Sequence, residues 1–271
     1  MRLSPTVNEW INLIARWIHV FAAILWVGTT YYFTWLDGRF TEEEKAEGKT
    51  GETKQIWMVH SGGFYVVEKR KEAELTRKLH WFRWEAAFTW LSGMILLVVV
   101  YYMGGLMIDP DVRDISLTTG IAIGVGTLIV GGIVYDLMVL SPLGRNEMVF
   151  AVIAYALVVG LIYGLSQVLS GRAVYIHIGA MFGTIMAANV WMHILPSQRR
   201  MIAAIREGKT PDPKHGARAK LRSKHNTFMV VPVVLLMLSY HFPVATDGYN
   251  WVFLAVVIPV GWVAAFFLRR A

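Results

Sequence analysis

The chain has no cysteine in its 271 residues. That excludes a disulfide framework, a thiolate nucleophile, an iron–sulfur cluster, Cys-ligated zinc and covalent haem c attached through Cys-x-x-Cys-His. Any metal or redox group must be held by histidine, methionine, tyrosine or carboxylate, and eight histidines are available. Charge is also scarce: Asp, Glu, Lys and Arg make up 17% of the chain, against about 25% in an ordinary soluble domain. No internal repeat and no low-complexity tract is evident.

What is plentiful is apolar and aromatic: 55% of residues are hydrophobic, among them 11 Trp, 11 Tyr and 13 Phe. Crossing a bilayer takes about 20 mostly apolar residues, and seven stretches qualify as candidates: 10–35, 84–103, 117–140, 148–168, 173–195, 227–240 and 249–268. The sixth is short and contains Pro232, so a kink or an extension into the preceding polar segment is expected. The predicted fold is all-α, a single polytopic transmembrane helix bundle of about seven spans over residues 1–271. A cleavable signal peptide is not expected, because the first apolar segment is long and carries Arg16 and His19.

The net charge of +7 is compatible with nucleic-acid binding, but its distribution argues for a membrane instead. Of 26 Lys and Arg, 22 fall in the 37–83, 141–147 and 196–226 segments and the tail, all on one side of the proposed topology. Basic residues accumulate on the cytoplasmic side. This places the N-terminus outside and the C-terminus inside, in a multi-pass protein of the cell inner membrane with lipid as a partner and no nucleic acid. Segments 37–83 and 196–226 are then cytoplasmic basic loops. The first contains Ile56-Trp57-Met58-Val59-His60-Ser61-Gly62-Gly63-Phe64-Tyr65, apolar enough to be expected to fold back onto the bundle.

Ionisable groups inside spans are costly and point to function. Arg16 and His19 share a helical face. Asp136 lies beside Tyr135 near the inner end of the third span, where an interfacial carboxylate and a catalytic one fit equally. The run Leu79-His80-Trp81-Phe82-Arg83-Trp84-Glu85 supplies an acid/base, an anion partner and a carboxylate within two turns, although an aromatic belt accounts for Trp81 and Trp84. His177 and His193 are sixteen residues apart, ~24 Å along a helix, so one site does not use both. By depth, His19, His177 and His241 form an outer group, and His60, His80, His193 and His225 an inner one. Two levels of histidine are what one or two non-covalent haem b groups would need, though interfacial histidines also occur without haem. The basic stretch ending in Arg222-Ser223-Lys224-His225-Asn226 sits at the mouth of the bundle, where it contacts anionic lipid or draws in an anionic substrate.

Several of these motifs in order resemble the membrane domain of the integral-membrane, cytochrome c-linked urate oxidases. They are Arg16-Trp17-Ile18-His19 with Trp26-Val27-Gly28, His60-Ser61-Gly62-Gly63-Phe64-Tyr65, Leu79 to Glu85 with Thr89-Trp90-Leu91-Ser92-Gly93, Tyr135-Asp136, His177-Ile178-Gly179-Ala180 through Asn189-Val190, and Arg222 to Asn226 with Met237-Leu238-Ser239 and His241. The resemblance implies oxidation of urate toward 5-hydroxyisourate with electrons passed to cytochrome c. The family's fused cytochrome c domain is not matched in this cysteine-free chain, so a separate cytochrome c or other redox protein is the implied partner. Urate is a planar anion, so its site needs a cation, stacking rings and a proton acceptor. His60, His80, Arg83 and Glu85 are the candidate catalytic residues; Gly62, Gly63, Phe64, Trp81, Trp84, Arg222, His225 and Asn226, with Trp57, are candidates for substrate binding. His19, His177, His193 and His241 are the candidate haem ligands. A haem b electron-transfer subunit or anchor for a peripheral dehydrogenase is the competing reading, and a transporter for an anionic metabolite the third.

Overall fold

The computed structural model describes residues 4–46, 55–70, 78–239, 241, 242 and 250–269. The bounds expected at 240 and 249 for the sixth and seventh spans fall outside them. Helix α1 runs over Pro5–Ala46 and is followed by a two-stranded antiparallel hairpin, β1 at Gln55–His60 and β2 at Gly63–Glu68. Next come α2 at Trp84–Leu96, with a π-helical extension over Leu97–Tyr102, α3 at Leu117–Leu140 and α4 at Glu147–Ser166. Helix α5, Gly171–Ala188, passes without a break through a π-helical segment, Asn189–Ile194, into α6 at Leu195–Arg206. Helices α7, Pro213–Ser239, and α8, Asn250–Leu268, complete the bundle.

The helix starts follow local chemistry. Ser116, Asn146 and Ser170 each accept a hydrogen bond from the backbone N–H three residues on, at 3.1, 3.1 and 3.2 Å, which satisfies donors that a first turn leaves open. Among the described residues, six helices are long and apolar enough to cross a membrane. Helix α7 is not among them, because its first half is polar; its apolar second half is the expected sixth span, and Pro232 lies inside the helix without ending it.

Helix α5 occupies the centre. Two-thirds of its best apolar window, 67%, is buried, compared with 11–28% for the other candidate spans. Small residues make this possible, as expected for helices packing in lipid. A Cβ on Gly131 would run into the Met181 thioether, and one on Gly179 would come within 3.1 Å of Met237 Cε. Gly131 of α3 and Gly179 of α5 therefore serve close helix contact, whereas Gly126, Gly132 and Gly183 have nothing within 4 Å of a Cβ position.

The structure gives two connecting segments their shape. Within 196–226, α6 and the first half of α7 fill most of the length. In the 37–83 segment, α1 continues through Ala46 and the apolar stretch folds as the hairpin, which does lie back on the bundle: Ile56, Met58 and Val67 pack against Trp35, Leu36 and Phe40 of α1. Its turn uses Ser61 at φ 50° and Gly62 at φ 77°, the left-handed pair that matches hairpin twist. Gly62 thus serves the turn, and Gly63 pairs with His60 across the strands.

Candidate functional site

The densest buried polar cluster lies where α3, α7 and the π-helical segment meet, toward the inner end of the bundle. Its residues are placed by periodicity. Arg218, Arg222 and Asn226 follow one another at four-residue steps and share a face of α7. Asn189 and His193, four apart, flank the π-helical turn. Pro196, just beyond, has no N–H to close the α-helical ladder, and a widened turn next to such a gap is where helices commonly accommodate function.

Arg222 is 1% exposed and is the largest fully buried side chain. Its Nη1 donates to Asn189 Oδ1 at 3.1 Å, and its guanidinium lies 5.2 Å from the centre of the Tyr135 ring. Asn189 Nδ2 donates to Asn226 Oδ1 at 2.9 Å and to the Tyr135 hydroxyl at 3.0 Å; Asn226 in turn donates to the Met186 carbonyl at 3.1 Å. The Tyr135 hydroxyl, having accepted from Asn189, donates to His225 Nδ1 at 2.9 Å, and the His225 ring stacks on Phe150 at 5.0 Å. These hydrogen bonds hold the Arg222 guanidinium in place.

The other half is less saturated. Asp136 Oδ1 lies 2.6 Å from Arg222 Nη2 and 2.8 Å from His193 Nε2. Asp136 Oδ1 thus faces both a guanidinium and an imidazole, while among the described residues Arg222 Nε has no hydrogen-bond partner. His193 Nδ1 accepts from Arg218 Nη2 at 2.7 Å, which places the imidazole proton on Nε2, facing the carboxylate. The Asp136 side chain is 35% exposed. The cluster therefore opens outward at Asp136, with a buried guanidinium behind it whose Nε has no hydrogen-bond partner among the described residues.

A cleft of about 310 Å³ on the inner side is lined by Trp81, by Arg199, Ile202, Ala203 and Arg206 of α6, and by Glu207. It pairs an indole with two guanidiniums. Trp81 is thus the expected stacking residue that does line a concavity.

The remaining expected residues are dispersed. His60 is exposed at the hairpin tip, with Ser61 Oγ 2.9 Å from its Nδ1. His80 is exposed and meets Phe82 edge to face at 4.6 Å. Arg83 lies over the Trp84 ring at 5.3 Å, and Glu85 sits in the first turn of α2. Among the described residues, no hydrogen bond or ion pair joins His60, His80, Arg83 and Glu85 to one another. Phe64 and Trp57 are exposed on the hairpin. Arg222, His225 and Asn226 do come together, and His193 joins them. Asn189, quoted only within a motif of the resemblance, and Arg218 were not among the expected site residues, although the spacing of 189 with 193 and of 218 with 222 and 226 carried the signal.

The histidines expected to hold haem have other partners. His177 is fully buried; its Nδ1–H donates to the Ala173 carbonyl at 2.7 Å, and its Nε2 lies 3.2 Å from the Tyr102 hydroxyl. A Cβ on Gly124 would strike that Nε2, so α3 is already in contact with the ring. His19 Nδ1 is 2.8 Å from the Thr89 carbonyl. Both nitrogens of His177 and both of His193 are thus engaged, and a haem iron would have to displace those partners. Among the described residues, no three His, Asp or Glu side chains converge as a metal site.

A family model described as "Urate oxidase N-terminal" matches residues 5–271. No curated protein and no solved structure matches the chain.

Proposed function

The chain belongs to the urate oxidase N-terminal family, an oxidoreductase family tied to urate oxidation, and from that premise we propose that it oxidises urate toward 5-hydroxyisourate with cytochrome c as electron acceptor. The observation that carries this reading is the fully buried Arg222 guanidinium paired at 2.6 Å with the partly open Asp136 carboxylate. A planar organic anion needs such a cation, and its oxidation needs such a base.

The balance is simple. Urate monoanion plus water gives 5-hydroxyisourate, one proton and two electrons. The proton goes to the Asp136 and His193 pair, whose facing atoms are 2.8 Å apart, and proton transfer by a positioned side chain is worth about 10²–10⁴ in rate. Arg222 offsets the charge of the anion, held by Asn189 and Tyr135 so that little reorganises during the reaction. The Trp81 cleft, with Arg199 and Arg206, offers a stacking surface and positive charge to urate arriving from the inner face. The two electrons pass to two equivalents of oxidised cytochrome c outside these 271 residues, because a chain without cysteine carries no c-type haem. A haem b held by His177 or His193 would have to displace the partners those rings already have.

The test is the purified protein in lipid nanodiscs, supplied with urate and oxidised cytochrome c. Loss of urate with reduction of two cytochrome c per urate supports the proposal. Absence of turnover with cytochrome c and also with ferricyanide overturns it.

A further inference from the structure

We propose that the β1–β2 hairpin is an interfacial anchor, whose outward face is covered by the lipid of the inner leaflet. The strand register puts Trp57 opposite Val66 and Val59 opposite Phe64, all four on one face. Phe64 is 81% exposed, Val59 70% and Trp57 68%. The opposite face packs on α1 through Ile56, Met58 and Val67. A face of that apolarity, bare on an otherwise soluble loop, needs an occupant.

The hairpin's direction identifies the occupant. Its base sits against the distal part of α1, where Lys69 Nζ is 2.6 Å from Asp37 Oδ1 and lies over Phe40 at 5.8 Å. Further toward the tip, Met58 Sδ receives the Tyr32 hydroxyl at 3.6 Å. From base to tip the hairpin therefore travels back along α1 toward its apolar part. Two more residues separate Met58 from His60, about 7 Å of strand, which carries the turn past the level of Tyr32. Tyr32 and Phe33 are exposed, as are Phe82, which meets Phe33 at 5.0 Å, and Trp84. The bare hairpin face thus continues an aromatic band on the outside of α1 and α2, where such bands mark the lipid interface. Charge is graded in the same sense. Glu68, kept below the usual carboxylate range by hydrogen bonds from Arg70 and then Gln55, lies at the base with Lys69 and Arg70, and the outward face above it carries none. Apolar outside, charged at the base and short is the pattern of an element lying in the headgroup layer.

The cysteine-free chain makes the test clean. Phe64→Cys, Ile129→Cys and Lys209→Cys each carry one nitroxide label in full-length protein in nanodiscs of phosphatidylethanolamine and phosphatidylglycerol, open to probes on both faces. Ile129 is an exposed apolar residue of the α3 span, and Lys209 an exposed residue between α6 and α7. The Phe64 label is expected to collide with a nickel chelate several-fold less than the Lys209 label but more than the Ile129 label at mid-span, and with oxygen less than the Ile129 label, the gradation of a group at the interface. Chelate access equal to that at Lys209 overturns the proposal. So does dipolar broadening between labels, which would assign the face to a second copy of the chain, or exclusion of both probes, which would assign it to protein.

Discussion

Two buried histidines in the same continuous helix have opposite surroundings. His177 has a backbone carbonyl, a tyrosine hydroxyl and a glycine-lined wall, and no charged group among its described hydrogen-bond partners. His193, sixteen residues on, has Asp136 on one nitrogen and Arg218 on the other, with Arg222 against the same carboxylate. Burial alone therefore does not mark function. A histidine whose nitrogens are both satisfied by neutral groups is well explained as packing. One that shares a carboxylate with a buried guanidinium sits in an arrangement that is expensive to assemble in an apolar bundle and that moves charge when a substrate loses a proton. The inner pole is the chemical one on this account, and the outer pole is structural.

The largest effect that would sharpen this contrast is at Asp136 and Arg222. Asp136→Asn and Arg222→Gln are each expected to lower urate-dependent cytochrome c reduction by about 100-fold or more, the scale of a lost positioned base or charge. Arg222→Lys, which keeps the charge but not the fork, is expected to recover only part of the loss. Initial rates per mole of protein that binds the nanodisc check this.

Next is Asn189. Asn189→Leu leaves Arg222 Nη1, the Tyr135 hydroxyl and Asn226 Oδ1 without their shared partner, at about 1–3 kcal/mol for an unsatisfied buried group. Thermal unfolding is expected to shift downward, and turnover to fall by more than the loss of folded protein explains.

At the outer pole the expected result is the reverse. Gly124→Ala drives a methyl into His177 Nε2 and into Met107 Cε, an overpacking of about 1–3 kcal/mol. Unfolding temperature should drop while turnover per folded molecule stays unchanged. Reduced turnover in the folded fraction would break the contrast between the poles.

The smallest effects are expected at His80 and Glu85, where no ion pair or side-chain hydrogen bond joins the two groups to the cluster. His80→Ala and Glu85→Gln should each change the rate by no more than ~2-fold, the scale of ordinary surface substitutions. Abolished turnover in either would move the chemistry to the start of α2.

The fold was largely legible because apolar length and the placement of basic residues are physical requirements of a membrane span, read directly from composition along the chain. The hairpin was less so: alternation in Gln55–His60 is brief, and the fold-back could be expected without its strands. The site was half legible. Arg222, His225 and Asn226 stand out as a polar run, and Asp136 as a carboxylate in a span. Their partners do not, because Asn189 is an ordinary polar residue in an apolar helix and Arg218 is one of nine basic residues in its segment. Only the convergence of three helices gives them roles. Conversely, His80, Arg83 and Glu85 are dense in chemistry along the sequence, yet such density at one helix start does not bring the side chains together, with His80 exposed and Arg83 and Glu85 half-buried.

The most direct test of the inner pole is a side-by-side measurement of urate consumption, with oxidised cytochrome c as acceptor, by the wild type, Asp136→Asn and the His80→Ala/Glu85→Gln double variant, all folded in nanodiscs. The account predicts near-wild-type rates for the double variant and a loss of about 100-fold for Asp136→Asn. A wild-type rate in Asp136→Asn, with turnover abolished in the double variant, would contradict it.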